Sequence, residues 1–125
     1  MTDSQHGGST DVDADVLIVG GGLAGLALAN YLARFDCEPT IVEQRPEWDR
    51  DGYGIGLWAE GQSVLADLDL LSSVREAATD PQAVAVRASE EGALTRMSIP
   101  RGQSLLLAVH RAELHAALRD RIPEA

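Results

Sequence analysis

Gly20, Gly22, Gly25 and Glu43 have the residue types and the spacing to hold a dinucleotide. Gly20 permits a tight turn out of a strand, Gly22 leaves a pyrophosphate room to approach, and Gly25 lets a helix lie close to that strand. The glycines follow the apolar run Val16-Leu17-Ile18-Val19 and precede an apolar-periodic stretch opened by Leu23 and Ala24. A helix beginning there would turn unpaired N–H groups and the positive end of its dipole toward an anion. A second β-rich run, Thr40-Ile41-Val42, ends on Glu43, at about the spacing of a carboxylate that accepts from a ribose diol. A glycine-rich turn that binds nothing does not need three glycines at this spacing and an acid closing the next strand. FAD and NAD both carry an adenosine ribose, so these residues alone leave that choice open.

Other elements must position this constellation. The periodicity predicts a first helix from about Leu23 to Phe35, with Leu26, Ala29, Tyr31, Leu32 and Phe35 making contacts. Asp36 ends it, where glycine would be the easier left-handed cap. Residues 44–61 read as a loop rich in charge and glycine, placed to cover a ligand, with Tyr53, Ile55, Leu57 and Trp58 as its apolar content. Val64, Leu68, Leu71 and Val74 mark one face of a helix, or of two short ones, over about 62–78. Asp80-Pro81 breaks it. Alternation over 83–89, a turn at Glu90-Glu91-Gly92 and a return through Leu94, Met97 and Ile99 predict an antiparallel hairpin. Residues 105–109 read as a short strand. A last helix over about 111–121 turns Leu114, Ala117, Leu118 and Ile122 inward, and Pro123 stops it. His110 is expected to pack and His115 to face solvent; five residues apart, they do not share a metal-binding face.

These elements define an α/β fold: a Rossmann-like βαβ unit with an appended antiparallel β-hairpin. Only about three parallel strands are in prospect, and no strand follows the last helix. The expectation is a truncated domain: residues 15–125 as the N-terminal part of a larger nucleotide-binding domain, preceded by a disordered lead-in over residues 1–14.

All ten basic residues are Arg, against twenty Asp plus Glu, for a net charge of −10. Such a surface disfavours nucleic acid and anionic membranes as partners. Lysine-poor acidity is expected of a salt-loving source, and equally of codon bias toward Arg and Asp. A lone cysteine, Cys37, cannot close an internal disulfide and fits a reducing cytoplasm. No signal-peptide pattern or membrane-spanning apolar run is visible.

From Asp15 to Ile122 the chain resembles the FAD-dependent aromatic hydroxylases, the single-component flavin monooxygenases. Three stretches carry the likeness: VLIVGGGLAGLALANYLARF…TIVE, GYGIGLWAEGQSVLADLDLL and VHRAELHAALRDRIP. The resemblance implies FAD as cofactor, with Gly20, Gly22 and Gly25 at its pyrophosphate and Glu43 at the adenosine ribose. Arg45 would lie near the adenine or phosphates, and Arg111 on the flavin side as a fixed cation with a fork of donors. It also implies NAD(P)H as reductant and a small aromatic substrate, hydroxylated with oxygen; the flavin carries that chemistry. The sequence departs from the family pattern in places. Gln44, not arginine, follows the ribose acid, and Arg45 comes one later. Asp36 and Asp69 stand at usual glycines, and Ala59-Glu60-Gly61 replaces a Pro-Asn-Ala-like segment. The family's later flavin-contacting Gly-Asp segment and most of its substrate-binding sheet are not in these 125 residues. No catalytic base with a partner is visible. Another FAD oxidoreductase, such as an isoprenoid reductase-like protein, or a non-catalytic nucleotide-binding fragment, is the alternative reading.

Overall fold

A computed structural model describes residues 15–48, 52–88, 92–103 and 105–122. The lead-in, the Glu90-Glu91 part of the hairpin turn and the Pro123 stop fall outside the described residues. The chain opens β1 (Leu17–Val19), α1 (Leu23–Ala33) and β2 (Thr40–Val42). β1 and β2 pair in parallel, Ile18 opposite Ile41, with α1 as the crossover. Three-residue strands suffice because Gly20 N–H extends the pairing, donating to Val42 O at 2.7 Å.

Next come β3 (Gly54–Trp58), α2 (Ala59–Asp67) and α3 (Leu71–Ala77). The stretch expected to be all loop thus contains a strand. Gly-Ile-Gly-Leu-Trp alternates, and only Ile55 and Leu57 turn inward, while Tyr53 and Trp58 stay exposed. The helical pattern over 62–78 resolves into two helices, separated at Asp69. That residue is left-handed (φ 57°), as is Asp36 after α1 (φ 55°). The two positions where glycine would be easier are therefore the two non-glycine residues with a positive φ among the described residues.

β4 (Ala83–Ala88) and β5 (Gly92–Ser98) pair antiparallel, with an irregularity between Val86 and Arg87 that breaks strict alternation. β6 (Leu106–His110) leads into α4 (Arg111–Arg119). β6 does not join the parallel pair as a third strand; it runs antiparallel to β3, Leu107 opposite Leu57. β3 supplies the hydrogen-bonding edge for β6, while Val109 turns into the core shared with the helices.

The core is built between helices, from Leu26 of α1, Leu65, Leu68, Leu70, Val74, Val109 and, from α4, Leu114 and Leu118. Leu65 takes the place expected of Val64, which is exposed, and Phe35 lies beyond the end of α1 at 79% exposure. Buried Asn30 ties two helices together, its Nδ2 donating to Leu26 O (2.8 Å) and Leu118 O (2.9 Å). Among the described residues, no helix is long and apolar enough to cross a membrane.

Candidate cofactor site

The glycine turn sits where β1 ends and α1 begins, and each glycine meets a different constraint. Gly20 has φ +107°, a conformation that side chains rarely adopt. A Cβ on Gly25 would collide with the Gly20 carbonyl oxygen and crowd Ile18. A Cβ on Gly22 would meet nothing within 4 Å. Gly25 is thus glycine because helix and turn touch, whereas Gly22 faces open space. Gly22 is also the N-cap of α1, with no side-chain cap and no acid in the first turn. The N–H groups that begin this helix, Leu23 and Ala24 among them, have no intrahelical acceptors.

A cleft of about 290 Å³ opens over this turn. It gathers Gly22, Glu43, Gln44, Arg45 and Arg111 from three separate parts of the chain. Gly20, Leu23, Ala24 and Gly25 do not line it; they lie behind it as turn and helix. Arg111 is brought in because its backbone N–H donates to Tyr53 O at 3.0 Å, fastening the start of α4 to the entry of β3.

Glu43 is turned back onto the turn. Its Oε2 accepts from Gly21 N–H at 2.8 Å and its Oε1 from Arg45 N–H at 3.0 Å. The Arg45 N–H, then the Gly21 N–H, hold its carboxyl below the ordinary carboxylate range; partial desolvation opposes them, and the Gln44 N–H and the Arg45 charge add less. Glu43 is therefore an ionised acceptor. A carboxylate has about four lone-pair sites, so acceptor capacity is left beyond these backbone N–H groups for a further donor.

Five cleft residues were not among the expected site residues: Gly21, Glu47, Trp48, Tyr53 and His115. His115 reverses its expectation. It is buried, and its Nε2 lies 2.8 Å from Gly21 O. His110, expected to pack, is exposed. A signal for His115 was present in the sequence. Arg111, Leu114, His115 and Leu118 stand at i, i+3, i+4 and i+7, one stripe of a helix. Trp48 had no such signal; only folding lays its indole beside Gly21, where an added Cβ would be 2.7 Å from the ring.

Comparisons with known proteins identify the family. The family described as "FAD binding domain" matches residues 13–124. The 3-amino-4-hydroxybenzoate 2-monooxygenase PtnB3 of Streptomyces platensis is 30% identical over 114 residues, covering 86% of this chain and 29% of that protein. The FAD-dependent monooxygenase adrH of Penicillium rubens is 39% identical over 62 residues, 49% of this chain and 14% of adrH. Among solved structures, 2-methyl-3-hydroxypyridine-5-carboxylic acid oxygenase superposes with a TM-score of 0.73 at 27% identity, over 86% of this chain and 28% of that one. The chain belongs to the FAD-binding-domain family of the flavin-dependent monooxygenases, and FAD is its cofactor. It spans a little under a third of the length of these Streptomyces and oxygenase relatives.

Proposed function

We propose that this chain is the N-terminal, FAD-holding portion of a flavin-dependent monooxygenase that hydroxylates an aromatic substrate with NAD(P)H and oxygen. The observation that carries the reading is the cleft: Gly22, Glu43, Gln44, Arg45 and Arg111 meet there although they are far apart in sequence. The β1–α1–β2 crossover is read as a Rossmann-like unit and β4–β5 as its appended hairpin.

The residues fit the cofactor. Gly20 shapes the turn, Gly22 leaves space for the pyrophosphate, and Gly25 brings α1 against the turn, so that the N–H groups of Leu23 and Ala24 begin a helix aimed at anionic oxygens. Glu43, ionised and with acceptor directions left over, suits the adenosine ribose hydroxyls. Gln44 and Arg45 extend that rim, and Arg111 brings a permanent cation to the flavin side. FAD, when bound, supplies hydride acceptance and oxygen activation. The chain's own part is to bind it, orient it and shield one side from water. Aromatic-acid and pyridine-ring relatives support an aromatic substrate, and NAD(P)H as the reductant is what the family resemblance implies.

The test is a flavin absorbance spectrum of the chain after incubation with FAD and desalting, run with and without molar KCl. Retained flavin is the expected result, and the chain then warrants assay for NAD(P)H oxidation. A folded, colourless chain in both buffers would overturn the FAD-holding role of these residues. Equal folding in both buffers would remove the salt-loving interpretation of the acidic composition.

A further inference from the structure

His115 is 5% exposed, and its imidazole reaches across the fold to the glycine turn. A carbonyl oxygen only accepts, so the 2.8 Å contact with Gly21 O requires a hydrogen on Nε2. The same residue is gripped from its other side, where Gly21 N–H donates to Glu43 Oε2. Trp48 covers the contact; its ring centroid is 5.2 Å from that of His115, tilted by 51°, and the Arg119 guanidinium lies 5.9 Å above the indole. Gly21 is thus fixed through both flanking peptides, by the end of β2 and by α4.

Peptide geometry gives this grip a consequence. In a trans peptide the C=O and the following N–H point in opposite directions in one plane. Holding Gly21 O therefore fixes the direction of Gly22 N–H. Neither residue has a side chain to restrict rotation of that peptide, so the restraint must come from elsewhere. We propose that His115 is a positioning residue for the FAD pyrophosphate seat: by donating from Nε2 to Gly21 O it holds the Gly21–Gly22 peptide in one orientation, so that Gly22 N–H is ordered before the phosphate arrives. The inference rests on the reading of this turn as the pyrophosphate seat. A merely space-filling His115 would be replaceable by any side chain of similar volume.

Two measurements on the full 125-residue chain test it. Nitrogen-15 NMR of His115 is expected to show a protonated Nε2; a bare Nε2 overturns the proposal. Flavin-fluorescence titration with FAD is expected to show about tenfold weaker binding for His115→Leu. His115→Gln, which keeps an N–H donor, stays within about threefold of the parent. The proposal falls if His115→Leu lowers the thermal midpoint but leaves FAD affinity unchanged, or if His115→Gln loses as much as His115→Leu. If the parent chain binds no FAD, the functional reading fails and NMR alone decides the positioning role. A protonated Nε2 together with a Gly22 amide resonance displaced in His115→Leu supports it, and an undisplaced resonance overturns it.

Discussion

The glycine turn and the β4–β5 hairpin are both short backbone features, yet they are held in opposite ways. The turn is fixed from outside. Glu43 takes one of its N–H groups, His115 meets one of its carbonyls, and Gly25 presses α1 against it. The hairpin is fixed from within. Its two strands bond to each other, Ile99 N–H extending the ladder to Gln82 O at 2.9 Å, while Val86, Leu94 and Met97 remain exposed. A ladder of local pairs tolerates side-chain change; a turn held by distant groups does not.

Substitutions should separate the two regions by size of effect. Leu26→Ala, at a 1% exposed position one residue past the turn, is expected to cost about 3 kcal/mol in urea unfolding. Gly25→Val forces a branched side chain into the Gly20 carbonyl. It should cost about 2–3 kcal/mol and remove flavin from the desalted protein.

Glu43→Gln keeps the shape but loses the charge, and FAD affinity should fall about tenfold by fluorescence titration. Its pH behaviour has a definite sign. The folded carboxyl is more acidic than the unfolded one, so its stabilisation is complete above the unfolded value and disappears as pH falls through the folded value. Unfolding midpoints of parent and Glu43→Gln should therefore converge on acidification below the ordinary carboxylate range; a gap that widens there would remove this account of Glu43.

Asp36→Gly relieves a left-handed aspartate and should raise stability by about 0.5–1 kcal/mol in thermal unfolding. Leu94→Ala, on the exposed hairpin, should change stability by less than about 0.5 kcal/mol and leave FAD binding intact. A large effect at Leu94 would show that the hairpin is covered by something else in the working protein.

Much of this was legible in the chain because it follows local rules. Three glycines at fixed spacing, an acid after a β-rich run and period-2 alternation at 83–88 each specify their own neighbourhood. The aspartates at positions 36 and 69 even marked where the backbone turns left-handed. The misses were matters of partnership. Residues 54–58 looked like loop because two glycines interrupt the alternation, and they form a strand only because β6 pairs with them. β6 reads only as a short apolar strand, since an apolar run does not state its partner or that partner's direction. His115 reads as solvent-facing although it shares a stripe with Leu114 and Leu118, because a polar residue on an apolar stripe reads as surface until a buried acceptor is known.

By itself, then, the sequence determined the glycine turn, the helix it starts, the acid that closes β2 and, through them, a dinucleotide ligand, since each is written in residue types at fixed spacing. Only the tertiary structure decided that α4 returns to the turn. That return brings Arg111 to the cleft and His115 to Gly21 O, across 94 positions of sequence in the latter case. The reason is physical: a backbone carbonyl accepts from any donor that packing delivers, and packing of Leu114 and Leu118 into the shared core, not a motif, delivered this one.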